Sequence, residues 1–169
     1  MKFSTRAIHA GQMPDPTTGA VMTPVYLTST YVQEELGKHK GYEYSRVSNP
    51  TRTALEGNIA ALENASNGMA FASGMAAIDA IFRMLSPGDH IIVSNDVYGG
   101  TYRIAKMVLE EYGLQFDFVD TTVLDNVINA RKPNTKMIFI ETPPNPTMSI
   151  TDLKAIAKFA KAYKLLSVV

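Results

Sequence analysis

At 169 residues and 46% hydrophobic, the chain suits one domain with a real apolar core. Sixteen basic residues balance sixteen acidic ones, so no global field draws it to nucleic acid or an anionic membrane, and any anion site must be local. It has no cysteine, which excludes disulfides, thiolate metal centres and a cysteine nucleophile and fits a cytoplasmic protein.

The amino terminus, Met1-Lys2-Phe3-Ser4-Thr5-Arg6, lacks the apolar stretch of a secretory signal. Apolar runs are short and broken by charge or glycine, so no transmembrane helix is expected. His9, His39 and His90 are scattered without metal-ligand spacing, and no metal site is expected. Residues 1–48 are rich in Thr, Gly, Pro and Tyr, with little periodicity beyond a short turn at 5–10. Such a segment has a poor core of its own and needs another surface to lie on. Regular patterning begins at Asn49, which divides the chain into an arm (1–48) and an α/β domain (49–169).

Asn49-Pro50 reads as a helix start, with Asn as N-cap and Pro at the first helical position. Leu55, Ile59 and Leu62 then supply one apolar face. The run Met69-Ala70-Phe71-Ala72 reads as a buried strand. It breaks at Ser73-Gly74 into a helix whose Ile78, Ile81, Phe82 and Leu85 recur at helical spacing. Pro87-Gly88-Asp89 turns the chain into a strand from His90 to Val93. Gly99-Gly100 opens a helix with Ile104, Met107, Val108 and Tyr112 on one side, ended by Gly113. A strand follows at 115–119, a short helix at 123–130 and a strand at 136–140. Pro143-Pro144-Asn145-Pro146 forms a rigid loop, and Thr151-Asp152 caps a helix through Leu153, Ile156, Ala157 and Ala160. The last five residues, 165–169, begin another strand.

Strands apolar on both faces, alternating with helices, predict an α/β fold with a mostly parallel sheet. In such a sheet the ligand crevice lies past the carboxyl ends of the strands. A chain that stops on a core strand lacks the loop after it, so the sequence is expected to be a piece of a longer protein.

Four groups follow or flank strand ends. Ser73-Gly74-Met75 opens a helix, where free N–H groups and the helix dipole favour a phosphate; a tight turn with glycine chosen for sterics is the plainer reading. Asp96 lies roughly 20 residues further on, where a dinucleotide fold has its ribose-binding acid, so a nucleotide-binding α/β module is an alternative. One glycine stands where that fingerprint, G-x-G-x-x-G, has three. Tyr98-Gly99-Gly100 lets an aromatic ring lie against something planar, and Arg103 follows on the opening turn, able to meet a carboxylate; core packing and solvation are the alternatives. Tyr42, Tyr44, Arg46 and Arg52 offer phosphate or carboxylate ligands in a flexible segment, or edge-strand packing. The prolines around Asn145 hold that side chain in one orientation, or simply stiffen a turn.

Together these residues resemble a known family. Tyr-Ser-Arg-x-x-Asn-Pro-Thr-Arg (44–52), Ser-Gly-Met-Ala-Ala (73–77), Asp-Val-Tyr-Gly-Gly-Thr-Tyr (96–102) and Glu-Thr-Pro-x-Asn-Pro (141–146) resemble, in order and spacing, the pyridoxal-phosphate enzymes of cysteine and methionine metabolism. The similarity runs from Thr5 to Val169. It implies a fold-type I architecture, of which this chain holds the amino-terminal arm and about the first half of the large cofactor domain. It implies pyridoxal 5'-phosphate as cofactor, with Ser73, Gly74 and Met75 at its phosphate. Tyr44 and Arg46 would reach that phosphate from a neighbouring subunit of a homodimer within a homotetramer. Tyr98 would stack on the ring and take part in proton transfer, while Asn145 lies near the phenolic oxygen and Arg103 near the substrate.

The resemblance also implies an aspartate for the pyridine nitrogen just past Val169 and a Schiff-base lysine further on. No lysine here occupies such a motif, and Lys106 reads as a solvated helix residue, so the chain alone is expected to be inactive. The implied substrate is a small amino acid, cystathionine or an O-acylhomoserine, reacting at its γ-carbon. Gly100 stands where methionine γ-lyases carry cysteine, which turns the reading away from them. Cystathionine γ-lyase is slightly favoured; cystathionine γ-synthase and O-acetylhomoserine sulfhydrylase are the alternatives.

Overall fold

The irregular composition of the first third of the chain yields little regular structure. The computed structural model describes residues 1–169, which form two compact units, Met1–Ala72 and Ser73–Val169. The first contains helix α1 (Phe3–His9), a hairpin of β1 (Gln33–Glu35) and β2 (Lys38–His39), and helix α2 (Pro50–Leu62). Asn49 caps α2 as expected: its side-chain oxygen accepts from the Thr51 N–H at 2.9 Å, with Pro50 at the helix start. The contact boundary falls at Ala72/Ser73, later than the change of texture at 48/49, because α2 receives the segment before it. The Asn58 amide donates to the carbonyls of Arg6 (3.1 Å), Ala7 (3.3 Å) and Ala10 (2.8 Å). Gly11, at φ +72°, crosses the helix so closely that a Cβ there would stand 2.2 Å from the Gly57 carbonyl carbon. Only glycine meets both demands.

Leu55 and Ile59, on the apolar face of α2, are exposed within this unit, since docking uses the Gly57 and Asn58 side of the helix. One expectation for this unit fails. The run from Met69 to Ala72 forms no strand, with Met69 79% and Phe71 46% exposed. A strand needs a neighbouring edge for its ladder; here the Ala70 N–H goes instead to the Glu56 carboxylate at 2.9 Å. Of the buried hydrophobic side chains, Ala60 alone belongs to this unit, in keeping with the expectation of a segment with a poor core.

The second unit alternates α3 (Gly74–Phe82), β3 (His90–Ser94), α4 (Gly99–Ile104), β4 (Gln115–Val119), α5 (Leu124–Ala130), β5 (Thr135–Phe139), α6 (Leu153–Tyr163) and β6 (Leu166–Val168). Its four strands form one parallel sheet in the order β4-β3-β5-β6, with Ile92 opposite Asp117 and Ile138. Alternation along the strands supplies two cores. Ile91, Val93, Phe116, Met137 and Phe139 pack with Phe82 and Leu109 on one side; Ile92, Ile138 and Ile140 pack with Val127, Ile156 and Ala160 on the other. Burying each such side chain stabilises the fold by about 1.5–3 kcal/mol.

Helix α4 departs from its expected face. It runs into a π-helical turn, Ala105–Leu109, in which the Glu110 N–H reaches the Ala105 carbonyl at 3.0 Å. The buried stripe runs through Gly100, Thr101, Ala105 and Leu109, with Ile104 of the expected face packed against the same core and Met107 and Tyr112 exposed. Gly113, at φ +90°, ends the segment as expected. No helix is long and apolar enough to cross a membrane.

At the amino end of β3, His90 is fully buried, its Nδ1 2.8 Å from Thr135 Oγ1. Its Nε2 lies 3.3 Å from Asp117, which also pairs with Lys132 at 2.7 Å. Burial, helped by the Lys132 charge, lowers the His90 pKa below 6.5 against the opposing pull of Asp117. Unfolding therefore takes up a proton below pH 6.5, and stability falls as pH drops through that window. The thermal midpoint is expected to decrease between pH 7 and pH 5, with a shallower slope in His90→Asn, read by circular dichroism. Equal slopes in the two proteins would disprove the assignment.

Candidate functional site

The carboxyl ends of β3 and β5, with the start of α3, bring together most of the residues singled out in the second unit. Ser73 is extended (φ −157°, ψ 159°) and its Oγ accepts from the Ala76 N–H at 3.1 Å, so the hydroxyl is committed to capping α3. The N–H groups of Gly74 and Met75, in the first turn, donate to nothing within the chain. A Cβ built on Gly74 meets no atom within 4 Å, so the space beside Gly74 is open. No acidic residue stands in that first turn to oppose an anion.

Tyr98 lies beside them. It precedes α4 and is 58% exposed as a residue, and a Cβ on Gly100 would fall 2.5 Å from the ring edge and 2.7 Å from the Met75 sulfur. The missing side chain at Gly100 is thus what lets the Tyr98 ring and Met75 meet next to the α3 start. Arg103 is exposed, with a guanidinium nitrogen 3.3 Å from where a Gly99 Cβ would be.

The loop after β5 is held from several sides. The Glu141 N–H donates to Ser94 Oγ at 3.2 Å, and the Glu141 carboxylate accepts from the Tyr98 N–H at 2.9 Å. Pro144 is buried and its carbonyl accepts from the Met148 N–H at 2.8 Å. The Thr142–Pro143 and Asn145–Pro146 peptide bonds are cis. Asn145 is exposed, and its side chain makes no hydrogen bond. Asp96 accepts from Thr147 Oγ1 and from Ser149 Oγ at 3.3 Å. That acid is engaged by the neighbouring loop, which argues against a ribose-binding role.

Sequence reasoning missed Glu141 as the anchor of Tyr98, Asp96 as the partner of Thr147 and Ser149, and a buried hydroxyl chain beneath both loops. In that chain Thr121 Oγ1 is 3.2 Å from Ser94 Oγ and 2.7 Å from Thr151 Oγ1. Nothing local marks these residues, which come from three separate strand ends.

Tyr44 and Arg46 belong to the first unit. The Arg46 guanidinium carbon sits 4.7 Å from the centre of the Tyr44 ring, so the pair is held side by side. Tyr44 bridges to Thr30, and the Ser45 N–H donates to the Ser29 carbonyl at 2.9 Å, fixing the backbone below them. Arg46 is exposed and forms no ion pair, whereas Arg52 is bound to Glu56 at 3.4 Å and to the Val47 carbonyl. Of the two arginines in that motif, Arg46 is the available one.

The chain is similar to known proteins along almost its whole length. The family model described as Cys/Met metabolism PLP-dependent enzyme matches residues 4–169. A probable cystathionine gamma-synthase of Herpetosiphon aurantiacus is 50% identical over 99% of this chain and 52% of its own length. A cystathionine beta-lyase of Coxiella burnetii is 53% identical over 98% of this chain and 43% of its own. The crystal structure of a cystathionine gamma-lyase from Lactobacillus plantarum complexed with L-serine superimposes with a TM-score of 0.94 at 54% identity, covering 99% of this chain and 44% of that one. The chain thus spans about half the length of the relatives it matches.

Proposed function

The chain belongs to the Cys/Met metabolism PLP-dependent enzyme family, and on that premise we propose that its α3 start and Tyr98 hold pyridoxal 5'-phosphate in a trans-sulfuration enzyme. The observation that carries the reading is the pair of N–H groups at Gly74 and Met75 that no acceptor in the chain engages, with open space beside Gly74 and the Met75 sulfur next to the Tyr98 ring. Two convergent donors at the positive end of a helix suit a dianionic phosphate, and an exposed aromatic face suits a flat heterocycle. Ser73 acts indirectly, by capping the helix that aims these donors.

When bound, the cofactor supplies an electron sink for carbanion chemistry on the amino-acid substrate. The chain's own residues orient and protonate. Tyr98 would lie against the ring, with its hydroxyl placed to exchange a proton with the reacting amino acid. Asn145 would lie near the phenolic oxygen, and Arg103 near the substrate, where it could meet a carboxylate. Tyr44 and Arg46 complete the phosphate site of a second copy of the chain, so the active unit is a homodimer within a homotetramer.

The proposed substrate is cystathionine, the compound common to the names of the relatives above. Cleavage on the γ side, giving cysteine, 2-oxobutanoate and ammonia from cystathionine and water, is the favoured reaction. Synthesis at the γ-carbon of an O-acylhomoserine is the second reading, supported by the likeness to the Herpetosiphon protein. O-acetylhomoserine sulfhydrylase chemistry would use the same carbon.

Titration of the protein expressed from its intact reading frame, followed by fluorescence, is expected to show preference for pyridoxal phosphate over NAD. Chromatography of the products from cystathionine should then give 2-oxobutanoate. Preference for NAD would overturn the cofactor reading; pyruvate in place of 2-oxobutanoate would overturn the γ assignment alone.

A further inference from the structure

We propose that Glu141 and Asp96 form a two-way clasp that sets Tyr98 in register with Asn145, making both carboxylates positioning residues for the cofactor ring; this rests on the function proposed above. The loops after β3 and after β5 leave adjacent parallel strands in the same direction, and the sheet ladder stops at Val93 opposite Phe139. Beyond that point, side chains must fix one loop against the other.

Two carboxylates do so, in opposite senses. Glu141 reaches from the second loop to the backbone of the first, accepting the Tyr98 N–H at 2.9 Å. Asp96 reaches from the first loop to the second, accepting from Thr147 Oγ1 and from Ser149 Oγ at 3.3 Å. Asn145 lies between Glu141 and Thr147, and buried Pro144 pins the loop beside it. Glu141 is itself tied to β3 through its N–H and Ser94 Oγ at 3.2 Å, so the anchor is not free to drift. The Tyr98 N–H has no other acceptor in the chain. Because the Tyr98 ring packs on the flat surface left by Gly100, its plane follows its backbone, and its backbone follows Glu141. Hydrogen bonds to an ionised acceptor are roughly twice as strong as neutral ones, which suits a tether in a half-exposed loop.

The experiment measures hydrogen exchange and cofactor binding on the protein from its intact reading frame. Glu141→Ala is expected to speed exchange of the Tyr98 amide about tenfold in the cofactor-free protein. It is also expected to weaken pyridoxal-phosphate binding about tenfold, and to reduce the visible circular dichroism of saturated protein. Glu141→Gln keeps an acceptor oxygen without the charge and should restore most of all three readouts; Asp96→Asn should likewise restore protection of the Met148 amide that Asp96→Ala loosens. Unchanged Tyr98 exchange in Glu141→Ala overturns the clasp whatever the cofactor does. Loss of protection spread across β3 and β5, or equal loss in Glu141→Gln, overturns the positioning role. Failure of the unmutated protein to bind pyridoxal phosphate overturns the function reading and the clasp's role in it, while the exchange data still report separately on the tether.

Discussion

Gly74→Asp is expected to lower pyridoxal-phosphate affinity at least about 100-fold while leaving the thermal midpoint of the cofactor-free protein unchanged or slightly higher. The two effects have opposite signs for one reason. A carboxylate in the first turn of a helix is favoured by the dipole, worth about 0.3–1 kcal/mol, and α3 has no acidic residue there. The same charge within ~4 Å of a phosphate is opposed by about 4 kcal/mol per charge pair at an effective dielectric near 20, more than enough for the loss expected. Gly74 does not owe its place to backbone geometry, since it sits inside α3 and a Cβ there would meet nothing. Gly74→Ala, which adds bulk without charge, is therefore expected to fold normally and to weaken binding less. Thermal denaturation and equilibrium dialysis of both variants decide the matter. Full cofactor affinity in Gly74→Asp would remove the phosphate from this turn.

Arg46→Ala is expected to weaken cofactor retention by about 10- to 100-fold, the range of one or two charge-assisted hydrogen bonds. The exposed guanidinium stacks on Tyr44 but holds no ion pair within its own unit, so its loss should leave the fold intact. If the residue serves a second copy, subunit mixing gives a sharper result. In a hybrid of Gly74→Asp and Arg46→Ala subunits, one site collects both defects. The other combines an intact helix start with an intact arginine from its partner and regains normal affinity. A site built within one chain would regain none, so dialysis of the refolded mixture separates the two arrangements.

The parallel sheet was legible because its signals are local: apolar runs bounded by turns at Pro87-Gly88 and Gly113, with helical spacing between them. The helix caps at Asn49 and Asp152 were legible for the same reason, each side chain bonding an N–H two or three residues on, whereas Ser73, read as a phosphate ligand, is a cap that only the structure shows. The run from Met69 to Ala72 was misread because apolar character does not provide a strand with a neighbour. The face of α4 was misread because its buried side is made largely by the small residues Gly100, Thr101 and Ala105, which carry less apolar signal than the exposed Met107 and Tyr112.

Composition, periodicity and short motifs determined the fold class, the family resemblance and the residue types able to grip a phosphate and a flat ring. They act over one or two turns of chain, and so they are written in adjacent letters. Only the folded chain decided that Glu141 anchors Tyr98 across 43 positions and that Asp96 answers from the other side across 51 and 53. Parallel strands deliver loops distant in sequence to one edge, and which side chains then meet depends on register and hydrogen-bond geometry, quantities that exist only once the sheet has formed.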